Sequence, residues 1–167
     1  MQIEVRVEPT DAALPGVEYR WDADTDILTA TVRPLAQGRG MSGSVEIEGQ
    51  DGSWLILDVR GGSIGGVEVA VWPKVRTVPA LALPAEVSPA LVAIPSRSSQ
   101  PGIAALEVET RLAADADASE STFHFRMGGG RPARTVRVAE DLVLDLDDLG
   151  RLCGVWLLNV PPFPTDQ

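Results

Sequence analysis

The sequence predicts an all-β protein: two similar antiparallel β-meander units, related by an internal pseudo-twofold axis and packed as one sandwich-like domain. Three observations predict it. The stretch Ser53–Pro73, SWLILDVRGGSIGGVEVAVWP, is an apolar run, a glycine turn and a second apolar run. Leu142–Pro162, LVLDLDDLGRLCGVWLLNVPP, repeats that order, and internal repetition fixes architecture before any other signal. The arms are also short, β-branched and aromatic, and bounded by Gly or Pro, as strands are and helices are not.

The elements follow in order. Ile3, Val5 and Val7 alternate with Glu4, Arg6 and Glu8, so Met1–Glu8 reads as a half-buried strand. Pro9–Gly16 turns. An acidic turn at Asp22–Asp26 leads into a strand whose Leu28, Ala30 and Val32 share a face. Arg33–Ser44 is a Gly-rich loop before Val45–Ile47, and Gln50-Asp51-Gly52 makes a tight turn into Trp54. Trp54–Leu57, Val67–Trp72 and Val155–Val160 carry apolar residues on both parities, which predicts strands covered on both faces.

The second unit repeats this order. Leu106–Thr110 is its leading strand, and Ala116–Ser121 its acidic turn. Phe123, Phe125 and Met127 form the alternating strand, Gly128–Pro132 the loop, then Val136–Val138 and the hairpin. Trp21–Ala30 aligns with Ala116–Phe125, Leu55–Asp58 with Val143–Asp145, and Gly62–Val67 with Gly150–Val155, with one extra residue in the second turn. Between the units, Lys74–Gly102 holds Pro79, Pro84, Pro89, Pro95 and Pro101 with many alanines. Val78, Leu81, Leu83, Val87, Leu91, Val92 and Ile94 are too many apolar residues for a free linker. An extended strap packed on the sheets is expected, with Ser96–Gln100 exposed and a single helical turn allowed at Pro84–Val87. The boundaries are therefore 1–73, 74–104 and 105–167.

Composition narrows the function. With 44% apolar residues a real core is available, and the net charge of −10 argues against binding a nucleic-acid backbone. The acidity suits plain solubility or a basic protein partner. A single cysteine, Cys153, excludes an internal disulfide and a cysteine-based metal cluster. Neither a signal peptide nor a membrane-spanning apolar run is read in the chain, so a cytoplasmic protein without membrane association is expected.

Trp21-Asp22-x-x-x-Asp26-x-Leu28, followed by Asp58, Gly62, Ile64, Gly66, Val67, Glu68 and Val69, resembles the bacterial family called domain of unknown function 2283. That pattern is an aromatic-Asp pair, a second Asp and a Leu-led strand. A hairpin of the form Asp-x-Asp-x-x-Gly-Arg-(Ile/Leu)-x-Gly-(Ile/Val)-Glu-(Ile/Leu) follows. The second unit keeps its hairpin in Asp145, Asp147, Asp148, Gly150, Arg151, Leu152, Gly154 and Val155. It departs at Trp156, opposite Glu68, and lacks the aromatic before Asp117. The resemblance implies a small β-rich fold duplicated in tandem, with no activity attached and a hint of companionship to small toxin-like proteins.

The chemistry-bearing residues divide between functional and structural roles. Asp22, Asp24 and Asp26 resemble the start of a calcium loop, but an EF-hand requires Gly and Glu where Ile27 and Arg33 stand. An Asp-rich turn capping its own amides is the expectation, as it is for Asp145–Asp148. The loops GRGMSGS and GGGRP lack a Gly-Lys-Ser/Thr ending and read as hairpin loops. His124, the only histidine, points away from the Phe123/Phe125 face, and Cys153 reads as a small buried hydrophobe. Glu68 interrupts an apolar strand, either paired with Arg60 or Arg76 or facing solvent. Of the four tryptophans, Trp54 is expected in the core, while Trp72 and Trp156 are candidates for a contact surface.

These readings point to a non-enzymatic interaction protein, antitoxin-like or immunity-like, with no cofactor and with a protein partner or a second copy of itself. Its candidate binding residues are Trp72, Trp156, Glu68, Asp22 and Asp26. The rivals are a small-ligand or metal-binding β module using the acidic turns, and an enzyme built on His124 or Glu68.

Overall fold

The computed structural model describes residues 3–34, 42–94 and 103–164, with the backbone alone at 103–107. The expected GRGMSGS loop lies largely outside these residues, and Ser96–Gln100 entirely. No helix occurs among the described residues, hence none long and apolar enough to cross a membrane.

Among the described residues, fourteen strands form one curled, continuous sheet. The first part holds β1 (Arg6–Pro9), β2 (Gly16–Trp21), β3 (Leu28–Arg33), β4 (Ser42–Gly49), β5 (Trp54–Arg60) and β6 (Ser63–Val71). The proline-rich stretch holds β7 (Val75–Thr77) and β8 (Ser88–Ala93). The remainder holds β9 (Ile103–Thr110), β10 (Leu112–Ala116), β11 (Phe123–Met127), β12 (Arg134–Ala139), β13 (Leu142–Leu146) and β14 (Leu152–Leu157).

Hydrogen-bonded neighbours run β2-β3-β6-β5-β4 in the first half and β10-β11-β14-β13-β12 in the second. Several registers match between the two. Asp58 faces Gly66 as Asp145 faces Gly154, Leu28 faces Val69 as Phe123 faces Leu157, and both hairpins shift register just after the aspartate. The turns use glycine at positive φ, Gly61 and Gly62 (60° and 83°) in one and Gly150 (74°) in the other, where a Cβ would be strained.

Two expectations about pairing are corrected. The sheet is mixed, not antiparallel, because β4–β9, β7–β10 and β8–β12 pair in parallel. The proline-rich stretch is not a strap laid over the sheets: β7 and β8 are strands within the sheet, and β8 bridges β12, β6 and β1. Pro89 stands at the second position of β8, near the strand's start, where a residue without an N–H disturbs the ladder least. No helical turn forms at Pro84–Val87. Likewise β9, which precedes the second repeat, extends the first half's edge beside β4.

One core serves both halves. Leu28, Ile47, Leu55, Leu57 and Val67 from the first half and Phe125, Leu142, Leu144 and Leu157 from the second are closed to solvent. A shared core is the physical solution for units each too small to bury enough surface alone. β14 is buried at every position, as expected, but β5 alternates, and Trp54 is 39% exposed and not in the core. On that open face it stands across from Glu48.

At Gly66 a Cβ would stand 2.6 Å from the backbone oxygen of Ala30 on β3, whereas at Gly129 it would meet nothing. Gly66→Ala is therefore expected to destabilise by about 1–3 kcal/mol, and Gly129→Ala by less than about 0.5 kcal/mol. Urea-unfolding midpoints of the two variants check this.

Candidate functional site

Two acidic turns build one side of an aromatic cleft. In the first, the Asp22 amide donates to Ile27 (2.9 Å), the Asp26 amide to Asp22 (2.8 Å), and the Asp24 amide to the Asp22 carboxylate (3.0 Å). This closure leaves Asp26 at φ +62°. In the second, the Asp117 carboxylate accepts from the Ser121 and Thr122 amides at 2.9 and 3.1 Å, and Glu120 sits at φ +55°. Burial works against ionisation of Asp117, but the amide and hydroxyl donors of Thr122, Ser121 and Ser119 outweigh it and hold the carboxyl below its usual range. Both turns cap themselves, as expected of Asp-rich turns. Each presents an acidic side chain from a left-handed residue.

Between them lies a cleft of about 250 Å³, lined among the described residues by Trp21, Asp26, Trp72, Val75, Glu120, Phe123 and Phe163. Trp21 ends β2, Trp72 follows β6, Phe123 begins β11, and Phe163 is delivered by the proline-rich tail. The indoles of Trp21 and Trp72 stack at 5.6 Å with 17° between planes, and Phe163 meets Trp21 edge-on at 5.2 Å. Trp72 also leans on Phe123 (5.1 Å) and Phe125 (5.7 Å), linking the cleft to the core. Both indole N–H groups are used: Trp21 donates to the Pro161 carbonyl (2.8 Å) and Trp72 to the Asp26 carbonyl (2.7 Å). What the cleft offers is ring surface and two carboxylates.

Of the predicted binding residues, Trp72 and Asp26 meet here, and Asp22 supports Asp26 from within the turn. The other two lie elsewhere. Glu68 stands on the open face of β6, beside Ile56 and Thr29. It has no arginine partner of the kind expected, because Arg60 pairs with Asp58 and Arg76 with Asp115. Trp156 is only 4% exposed and is corrected from a contact residue to a buried one.

Trp156 belongs to a buried polar cluster. Asp145, 1% exposed, accepts from the Trp156 indole (3.1 Å) and the Thr135 hydroxyl (3.1 Å), and meets His124 Nε2 at 2.7 Å. The His124 ring stacks on Trp156 at 3.9 Å. Gly154 makes room, since a Cβ there would stand 2.3 Å from an Asp145 oxygen. The arrangement is a histidine–carboxylate pair, but Asp145 is enclosed by donors and shut from solvent. The Cys153 thiol is pushed up to about 12 by burial and by Asp145 and Asp147, so at neutral pH it stays protonated and unreactive.

No protein-family model and no curated protein sequence matches this chain.

Trp21, Glu120, Phe123 and Phe163 were not singled out as site residues by the sequence. One signal pointed to Trp21: it is the aromatic that the second unit lacks at Ala116.

Removing Asp145 would strand three buried polar groups. Asp145→Ala is expected to cost about 3 kcal/mol or more, read as a fall in Tm of about 6–12 °C for a chain of this size. Asp147 resembles Asp117: burial opposes its ionisation, but the Arg151 and Leu149 amides and the Arg151 guanidinium hold its carboxyl below the usual range. Carboxyls lowered in the folded state favour folding above the unfolded value of about 3.9 and lose that contribution as pH falls through the lowered values. Urea midpoints are thus expected to hold from pH 7 to 5 and to decline below pH 4, with a shallower decline in Asp117→Asn and Asp147→Asn.

Proposed function

We propose that this chain is a non-enzymatic interaction module for a basic protein partner, antitoxin-like or immunity-like in character, and that it engages that partner through the aromatic cleft. The observation that carries the reading is that Trp21, Trp72 and Phe163 come from three separate segments and leave part of their ring surface open. Aromatic rings collected at a partly open site are the usual anchors of protein recognition. The histidine, cysteine and Asp145, by contrast, are enclosed.

A second feature supports a basic partner. By register, Glu18, Glu46, Glu48, Asp58, Glu68 and Glu109 share the open face of the first half. Glu48 stands directly across from Glu109, a like-charge pairing that costs stability. Glu46, Glu48, Glu68 and Glu109 form no ion pair among the described residues. A partner carrying Lys and Arg would relieve that repulsion.

We further propose that the chain is a tandem duplication within the domain of unknown function 2283 family, its halves related by a pseudo-twofold axis. The matching strand orders and the shared Asp–Gly register support this. The second reading, a small-ligand module, uses the same cleft with Asp26 at its edge, and the cleft's small size favours it.

Native mass spectrometry of gently isolated complexes tests the proposal with wild type, Trp72→Ala and Trp54→Ala compared. A stoichiometric second polypeptide is expected with wild type and Trp54→Ala, and at least tenfold less of it with folded Trp72→Ala. Equal recovery with Trp72→Ala, or only a second copy of the same chain, contradicts it.

A further inference from the structure

The cleft's chemistry points to the kind of group it holds. Its walls are the rings of Trp21, Trp72, Phe123 and Phe163, and its acidic groups are Asp26 and Glu120. Aromatic rings attract cations through their quadrupoles, tryptophan most strongly, and grouped aromatic rings recognise quaternary ammonium; carboxylates beside them add attraction for a cation. Which cation fits follows from hydrogen bonding. A primary ammonium or a guanidinium brings several N–H donors that must all be met. Among the described residues, the side chains lining the cleft provide acceptors only at Asp26 and Glu120. The indole N–H groups point at backbone carbonyls and take no part. A cation without donors loses nothing on that wall. The volume of about 250 Å³ falls below the roughly 300–1,000 Å³ of pockets for whole drug-sized ligands, and suits a single headgroup.

We infer that the cleft is a binding site for a quaternary ammonium group, held by ring contact and by the charges of Asp26 and Glu120. This rests on the reading that the cleft is the site of recognition, and it specifies what is recognised there. The group occurs on free small molecules and on trimethylated lysine of a polypeptide. The chemistry shared by both is the trimethylammonium headgroup.

Isothermal titration at fixed ionic strength tests the inference with choline chloride and its neutral carbon isostere, 3,3-dimethyl-1-butanol. Choline is expected to bind at least tenfold more tightly than the isostere. Trp21→Ala should lower choline affinity at least tenfold. Because Trp21→Ala risks the fold, the exposed pair Asp26→Asn with Glu120→Gln provides the independent check, weakening choline and leaving the isostere unchanged. Equal binding of choline and isostere overturns the cation assignment while leaving an apolar recognition cleft. Choline affinity insensitive to both variants overturns the site. No binding of choline, with partner capture still dependent on Trp72, overturns the ligand chemistry alone. A trimethyllysine peptide binding at least tenfold tighter than choline assigns the headgroup to a polypeptide, and the reverse order assigns it to a small molecule.

Discussion

The packing of Trp72 against Phe123 and Phe125, with Trp21 stacked on Trp72, is the contact around which the two halves close. Neither half has enough residues to bury a core by itself, so β3 and β6 on one side and β11 and β14 on the other must share one. That joint has to be closed at its end, where β2 stops and β6 runs out. Trp21 and Trp72 close it, with Trp72 resting on Phe123 and Phe125. A pair of this kind adds about 0.5–1.5 kcal/mol beyond the area it buries. Backbone carbonyls fix both indoles, and one bond crosses the joint: Trp21 to Pro161. Tyr19 makes a parallel tie to Leu158 at 2.6 Å, and burial raises its phenol well above the usual range. The same rings that close the joint form the cleft.

The halves share a strand order and use their outer faces oppositely. Where the first has Thr29, Ser44, Asp58 and Glu68, the second has His124, Thr135, Asp145 and Trp156 at the corresponding register positions. In the second, the aspartate collects the other groups into a closed cluster, and Gly154 lets it approach. In the first, the aspartate turns to Arg60 and the face stays open and acidic. A buried carboxylate is tolerable only when donors surround it, which explains why the cluster came as a set. The second half's polar groups are closed in, and the first half's face stays open.

Much of this was readable from residue order. The two hairpins were readable from their apolar runs and glycine turns, and Asp58/Gly66 and Asp145/Gly154 pair just before a register shift in each. The self-capped acidic turns were readable from local residues too. Parallel pairing was not: β8 and β9 join strands far away in the chain, and nothing in their own alternation states which edge they meet. The burial of Trp156 was hidden because its partner Asp145 looked like turn chemistry. The exposure of Trp54 was hidden because an apolar run on both parities does not reveal which face lacks a cover. Of the seven described residues that line the cleft, two, Trp72 and Asp26, were visible. Phe123, Glu120 and Phe163 reach it only when the second half and the tail pack against the first, a consequence of tertiary packing with no local trace.

The most direct test of the cleft as the recognition site is two-dimensional NMR of the tryptophan indole N–H signals during titration with tetramethylammonium chloride. The chain has four tryptophans, and their placements differ enough to separate the possibilities. The account predicts saturable shifts of the Trp21 and Trp72 signals, with Trp156 and Trp54 unmoved. Shifts confined to Trp54, or none at Trp21 and Trp72 at saturating probe, would contradict it.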